Sequence, residues 1–250
     1  MTNNKTYFVA NWKMHGSLNS VNSIKNVIKL SKKSKYKNAK IVYCPPYTLI
    51  RHFVEKTNKT KIDIGAQNCH FKKKFGSFTG SVNANMIKNI GSKFVIIGHS
   101  EIRSIGDTNK SINLKIKSAL KANLKVIFCF GETLKEKRSK KTNKVLNYQI
   151  KNGLTKIGNI KNIFFAYEPV WSIGTGIIPK INELVKQVRK IKQIIRKNYK
   201  VNNAKVLYGG SVNSQNMVTL KKISSINGFL IGGASLNSKN FIDIIKKTIN

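Results

Sequence analysis

Apolar and polar positions along this chain alternate between two regimes. Short runs rich in β-branched or aromatic residues read as strands: Tyr7–Asn11, Lys40–Cys44, Ile62–Ala66, Phe94–Gly98, Lys125–Phe130, Ile163–Tyr167, Val206–Gly209 and Gly228–Ile231. Between them lie longer stretches such as Val21–Leu30, Ile112–Leu120 and Leu184–Ile195, whose apolar residues fall mainly at helical spacing. Eight strand-then-helix units without a linker imply an all-parallel sheet, because each helix serves as a crossover between neighbouring strands. Fitted into 250 residues, this pattern predicts a closed (β/α)8 barrel occupying residues 1–250 as one domain. The rival is a doubly wound open sheet. That architecture usually has fewer strands and carries GxGxxG after the first of them, where this chain has NWKMHG.

Composition narrows the class further. With 40% hydrophobic residues and only 4 Pro, the chain can bury a large core. No apolar run approaches the roughly 20 residues of a membrane span, and MTNNKTYFVANWKMHG lacks a signal-peptide core, so the expected location is cytoplasmic. Cys44, Cys69 and Cys129 are odd in number and far apart, which fits neither a disulfide framework nor zinc spacing. The charge is extreme: 47 Lys plus Arg against 9 Asp plus Glu, a formal net charge of +38. Nucleic-acid binding is the obvious reading, but only Arg51, Arg103, Arg138, Arg189 and Arg196 are arginine, the side chain best suited to bidentate phosphate and base recognition. The lysines run the whole length beside Asn and Ile, as a compositional bias would place them. Salt-sensitive, non-specific adsorption is expected; specific nucleic-acid recognition is not.

Chemistry in a barrel belongs at the C-terminal ends of the strands and in the loops that follow. Asn11 and Lys13 sit two apart at the end of the first strand, so strand alternation predicts that both face the barrel mouth while Trp12 and Met14 face away. His99 follows the fourth strand, with Glu101 and Arg103 close behind. In a chain with so few carboxylates, Glu101, Glu132 and Glu168 each stand just past a strand. Glu168 ends the sixth strand in FFAYEPVWSIGTGIIP. Pro169 fixes the chain direction, Gly174 and Gly176 offer positive-φ positions, and Pro179 is expected to open a helix. A carboxylate at the root of Pro169, Val170, Trp171, Ser172, Ile173, Gly174, Thr175 and Gly176 suggests a lid whose closure removes water. The glycine pairs in YGGSV and GFLIGGAS, after the seventh and eighth strands, suit backbone N–H groups approaching an anion.

NWKM, GHSE, AYEPVWSIGTG, YGGSV and GFLIGGASL, together with GAQNCH, FTG and CFGETL, resemble the triosephosphate isomerase family in order and spacing across essentially the whole chain. The resemblance implies an aldose–ketose isomerase of glycolysis and gluconeogenesis acting on a phosphorylated triose, with no metal or organic cofactor. By that resemblance Glu168 removes a proton beside the substrate carbonyl, and a neutral His99 polarises the carbonyl oxygen, an established case of acid–base tuning. Lys13 stabilises the enediolate, Asn11 donates a hydrogen bond, and Glu101 positions Lys13. The N–H groups of Gly174, Ser211, Gly232 and Gly233 hold the phosphate.

The resemblance also implies a homodimer, with Met14, Phe78, Thr79 and Gly80 at the interface. Ile102 and Ser81 stand where the family usually has an Arg and a Glu. Losing both together avoids an unpaired buried charge, so dimerisation is expected to survive. Only Ile177 and Ile178 separate Gly176 from Pro179, two residues fewer than in many members, which alters the lid's C-terminal hinge. His15 replaces a usual Asn and is not expected to be catalytic. Two other classes compete: a different phosphate-binding barrel enzyme, against which the pairing of His99 with Glu168 argues, and a lysine-rich nucleic-acid-binding protein.

Overall fold

The computed structural model describes residues 5–249. Eight strands run in chain order: β1 Thr6–Asn11, β2 Ala39–Cys44, β3 Asp63–Ala66, β4 Phe94–Ile97, β5 Lys125–Phe130, β6 Ile163–Tyr167, β7 Lys205–Tyr208 and β8 Gly228–Ile231. Each pairs in parallel with the next, and β8 returns to β1 with Phe8 opposite Phe229, closing the barrel. The crossovers hold α1 Ile24–Ser31, α2 Ile50–Lys56, α3 Ala84–Asn89, α4 Ser100–Ser104, α5 Asn109–Lys121, α6 Leu134–Arg138, α7 Thr142–Gly153, α8 Ile181–Tyr199 and α9 Met217–Leu220, with α10 Ser238–Ile249 after β8. The predicted parallel barrel is the fold observed.

Strand pleating divides the core in two. Along β5, Ile127 and Cys129 join Val9, Val42, Phe94, Ile96, Phe164, Leu207 and Leu230 inside the barrel. Their neighbours Val126, Phe128 and Phe130 pack outward with helix residues such as Ile112, Ile116, Leu146 and Ile150. Being buried on both faces, the strands read as near-continuous apolar runs. Each buried aliphatic or aromatic side chain stabilises the fold by roughly 1.5–3 kcal/mol.

Three expectations need correction. The stretch Val21–Leu30 is not one helix: a tight turn of helix covers Leu18–Ser23, and α1 begins at Ile24. Ser17 and Ser20 hydrogen-bond each other reciprocally there, the kind of local side-chain bonding that competes with a regular helix. Pro179 precedes α8 instead of opening it, and the helix starts two residues later at Ile181. β4 stops at Ile97, one residue early, because Gly98 turns to φ +79°.

Candidate active site

The first functional segment leaves the barrel abruptly. β1 ends at Asn11, the Trp12 N–H donates to the Cys44 carbonyl at 3.1 Å, and Lys13 adopts φ +54°. Lys13 therefore does not continue the strand, and the expected alternation fails. Trp12 is buried edge-on against Tyr43 and Phe53, whereas Met14 is 95% exposed, so these two share no face. Asn11 and Lys13 nonetheless line one cavity, because the left-handed turn swings the lysine back. The turn is held by the Lys13 N–H donating to Asn11 Oδ1 at 3.2 Å and by Gln67 Nε2 donating to the Lys13 carbonyl at 2.8 Å.

After β4, His99 caps the N-terminus of α4. The Glu101 N–H donates to His99 Nδ1 at 3.2 Å, so Nδ1 carries no proton, and the neutral ring presents Nε2–H on its other side. Nε2 lies 3.4 Å from Glu168 Oε1. Glu101 itself does not line the cavity; its carboxylate meets Lys13 Nζ at 2.6 Å and fixes the direction of the ammonium.

Glu168 follows β6 and is 1% exposed. Two glycines make room for it. A Cβ at Gly131 would overlap the Glu168 carbonyl oxygen, and one at Gly209 would stand 2.8 Å from Glu168 Cγ. Oε2 accepts the Ser100 N–H at 3.3 Å, while Oε1 is buried without a hydrogen-bond partner among the described residues. That leaves Oε1 with free lone pairs to accept a proton from a substrate carbon placed beside it.

The cavity these groups share encloses about 350 Å³. Gly174, Ser211, Gly232 and Gly233 also line it, so the residues expected to grip a phosphate and those expected to move protons come together. Of the lid residues, Ile173, Gly174 and Gly176 face the cavity; Pro169, Val170, Trp171, Ser172 and Thr175 do not. Gly174 and Gly176 take φ +73° and +77°.

Glu132 is separated from the other two strand-end carboxylates. It lies buried beneath the lid's root, accepting from Trp171 Nε1 at 3.0 Å and from the Tyr167 hydroxyl. Burial holds its carboxyl above the ordinary range, against the opposing pull of those hydrogen bonds and of Lys137. Cys129 is enclosed in the barrel, and burial, followed by the charge of Glu168, raises its thiol well above the usual value. His15 is exposed and outside the cavity, and Met14, Phe78, Thr79 and Gly80 are all at the surface.

Gln67 and the cavity residue Asn213 received no role from sequence reasoning, although both follow strand ends, where the barrel concentrates its chemistry. Among the described residues no three His, Cys, Asp or Glu side chains gather as a metal ion requires, and no helix is long and apolar enough to cross a membrane.

Comparison with known proteins agrees with this geometry. The family model for triosephosphate isomerase matches residues 6–248. The triosephosphate isomerase of Wolbachia pipientis is 41% identical over 239 residues, covering 96% of this chain and 92% of the relative. That of Saccharomyces cerevisiae is 39% identical, covering 96% and 98%. The crystal structure of the Bartonella henselae triosephosphate isomerase superposes with a TM-score of 0.88 at 31% identity, covering 97% of this chain and 98% of that one. With the barrel, its cavity and near-complete coverage in agreement, the chain belongs to the triosephosphate isomerase family.

Proposed function

We propose that this chain interconverts dihydroxyacetone phosphate and D-glyceraldehyde 3-phosphate through an enediolate. Family membership makes it an isomerase. The assignment of roles rests on one observation above all: the buried, unpaired Oε1 of Glu168 stands 3.4 Å from His99 Nε2 in a cavity that also holds Lys13.

Glu168 takes the proton from the carbon beside the carbonyl and returns it to the neighbouring carbon. His99 Nε2–H donates to the carbonyl oxygen and then relays a proton between the two enediolate oxygens. The Lys13 ammonium and the Asn11 amide stabilise the oxyanion; fixed donors and cations of this kind give the largest electrostatic gain as charge develops. Backbone N–H groups of Gly174, Ser211, Gly232 and Gly233 hold the phosphate, and its binding energy orients the reacting carbons. A coupled assay with glyceraldehyde 3-phosphate tests the reaction, and Glu168→Gln tests the base. The variant should bind inorganic phosphate while losing turnover; retained turnover refutes the base.

The working unit is a cytoplasmic homodimer of single-domain chains. Exposed Met14, Phe75, Phe78 and Ile105 supply apolar surface suited to a second copy, and free, buried cysteines suit a reducing compartment. Sedimentation at micromolar concentration should show a dimer; folded monomer alone would refute it.

A further inference from the structure

On the outside of the barrel α7 packs beside α8, and the groove between them encloses about 520 Å³. Lys144 and Lys151 line it from α7, and Lys190 and Lys197 line it from α8. Within each pair the spacing is seven residues, two helical turns, so both side chains share a face and stand about 10.5 Å apart along the axis. With helix axes packed roughly 8–10 Å apart, the four side chains frame an area about 10 Å on a side.

No carboxylate answers this charge. Each of the nine Asp and Glu side chains is committed elsewhere. Six stand in ion pairs with other lysines or with Arg51, Glu136 caps α6, and Glu132 and Glu168 are buried. α7 holds no acidic residue, and α8 has only Glu183, which pairs with Lys137. Four like charges framing one groove repel one another over little more than the Debye length of about 8 Å, and an anion bound between them removes that repulsion.

The lining selects the kind of anion. Asn143, Asn147 and Gln193 add amide donors between the lysines, and Ile194 is the single apolar residue there. No aromatic ring lines the groove, so the bases of a nucleic acid find nothing to stack on. A peptide finds no apolar pocket for an anchoring side chain. Two facing rows of ammonium groups match an anion whose every unit carries charge. We propose that the groove between α7 and α8 binds a linear chain of phosphates, inorganic polyphosphate. Lys144 and Lys151 contact one side of the chain, and Lys190 and Lys197 the other. The groove shares no residue with the cavity at the barrel mouth, so the two sites are separate.

The probe is inorganic tripolyphosphate, titrated by calorimetry in physiological salt, where the long-range field of the other lysines is largely screened. One variant carries Lys144→Gln, Lys151→Gln, Lys190→Gln and Lys197→Gln. A control of equal charge carries Lys25→Gln, Lys29→Gln, Lys32→Gln and Lys33→Gln, all exposed on α1 or just after it. Loss of four charge-assisted contacts should raise Kd roughly 10-fold or more in the first variant, and less than about 3-fold in the control. A second measurement needs no variant: in the unaltered protein, tripolyphosphate should slow acetylation of the four groove lysines and leave Lys25 and Lys29 unprotected. Equal weakening in both variants, or uniform protection of all lysines, reduces the effect to diffuse charge and overturns the site. Protection confined to Lys13 at the barrel mouth, or no binding to the unaltered protein, overturns it as well. Tighter binding of a nucleoside triphosphate than of tripolyphosphate overturns the choice of ligand.

Discussion

The side-chain amide of Gln67 donates to the main-chain carbonyl of Lys13 at 2.8 Å, and to that of Cys44 at 2.9 Å. It thereby ties a residue with φ +54° to the end of β2. A non-glycine residue held in the left-handed region costs on the order of 1–3 kcal/mol and persists only where its surroundings impose it. Gln67→Ala should let Lys13 relax and carry its ammonium away from the reacting oxygens. Displacements of about 1 Å cost on the order of 100-fold in rate, so kcat/KM should fall roughly 10- to 100-fold. Turnover equal to that of the unaltered enzyme would show that Lys13 keeps its place unaided.

Much of this was legible in the chain itself. Strands buried on both faces write their presence as apolar runs, which is why all eight were found to within a residue or two at each end. His99 and Glu168 stood out because both types are scarce and both follow strands. Lys13 reached the cavity for a reason that alternation could not supply: a single left-handed residue, stabilised by Gln67 some 54 positions away. Glu132 illustrates the converse. It shared the strand-end signal with Glu168, but Trp171 and Tyr167 claim its oxygens beneath the lid. Such pairings depend on side chains distant in sequence, and local pattern does not encode them.

Glu132 offers a pH-dependent test. Its carboxyl is raised above the ordinary value of 4.5, with burial the largest cause. The folded chain therefore keeps this proton to higher pH than the unfolded chain. Between those two pKa values the native state binds more protons, so the stability derived from this site is present at low pH and lost as pH rises. Glu132→Gln cannot ionise and retains an oxygen for Trp171. Its Tm should exceed that of the unaltered protein at neutral pH, by roughly 2–4 °C for each kcal/mol recovered. The difference should vanish below about pH 4, where both forms of the residue are neutral. A lower Tm at neutral pH would mean that the charged carboxylate stabilises the lid's root.

Gly131 makes a sharper steric prediction. A Cβ there would overlap the carbonyl oxygen of Glu168, a backbone atom that cannot rotate aside. Gly131→Ala must push the end of β6 away from that of β5, where the Glu168 N–H donates to the Phe130 carbonyl at 2.9 Å. The cost should be about 1–3 kcal/mol of stability, as for other overpacked sites. kcat should fall at least 10-fold, because the proposed base moves with its backbone. Equal Tm and kcat in the alanine variant would refute this close approach.

The net charge of +38 yields a kinetic prediction, because both trioses are anions. A positive surface draws them in and raises the encounter rate, but it makes no distinction between bound substrate and transition state. In physiological salt the Debye length is about 8 Å, less than half the roughly 18 Å radius of gyration expected for this length, so added salt removes much of the long-range attraction. The buried His99–Glu168 pair is screened far less. Accordingly kcat/KM should fall as salt is added from about 10 mM to physiological strength, and more steeply than kcat does. Equal dependence of the two would show that the lysine excess contributes nothing to substrate capture. The attraction is non-specific, so an inert polyanion should slow capture at low salt and lose that effect at higher salt.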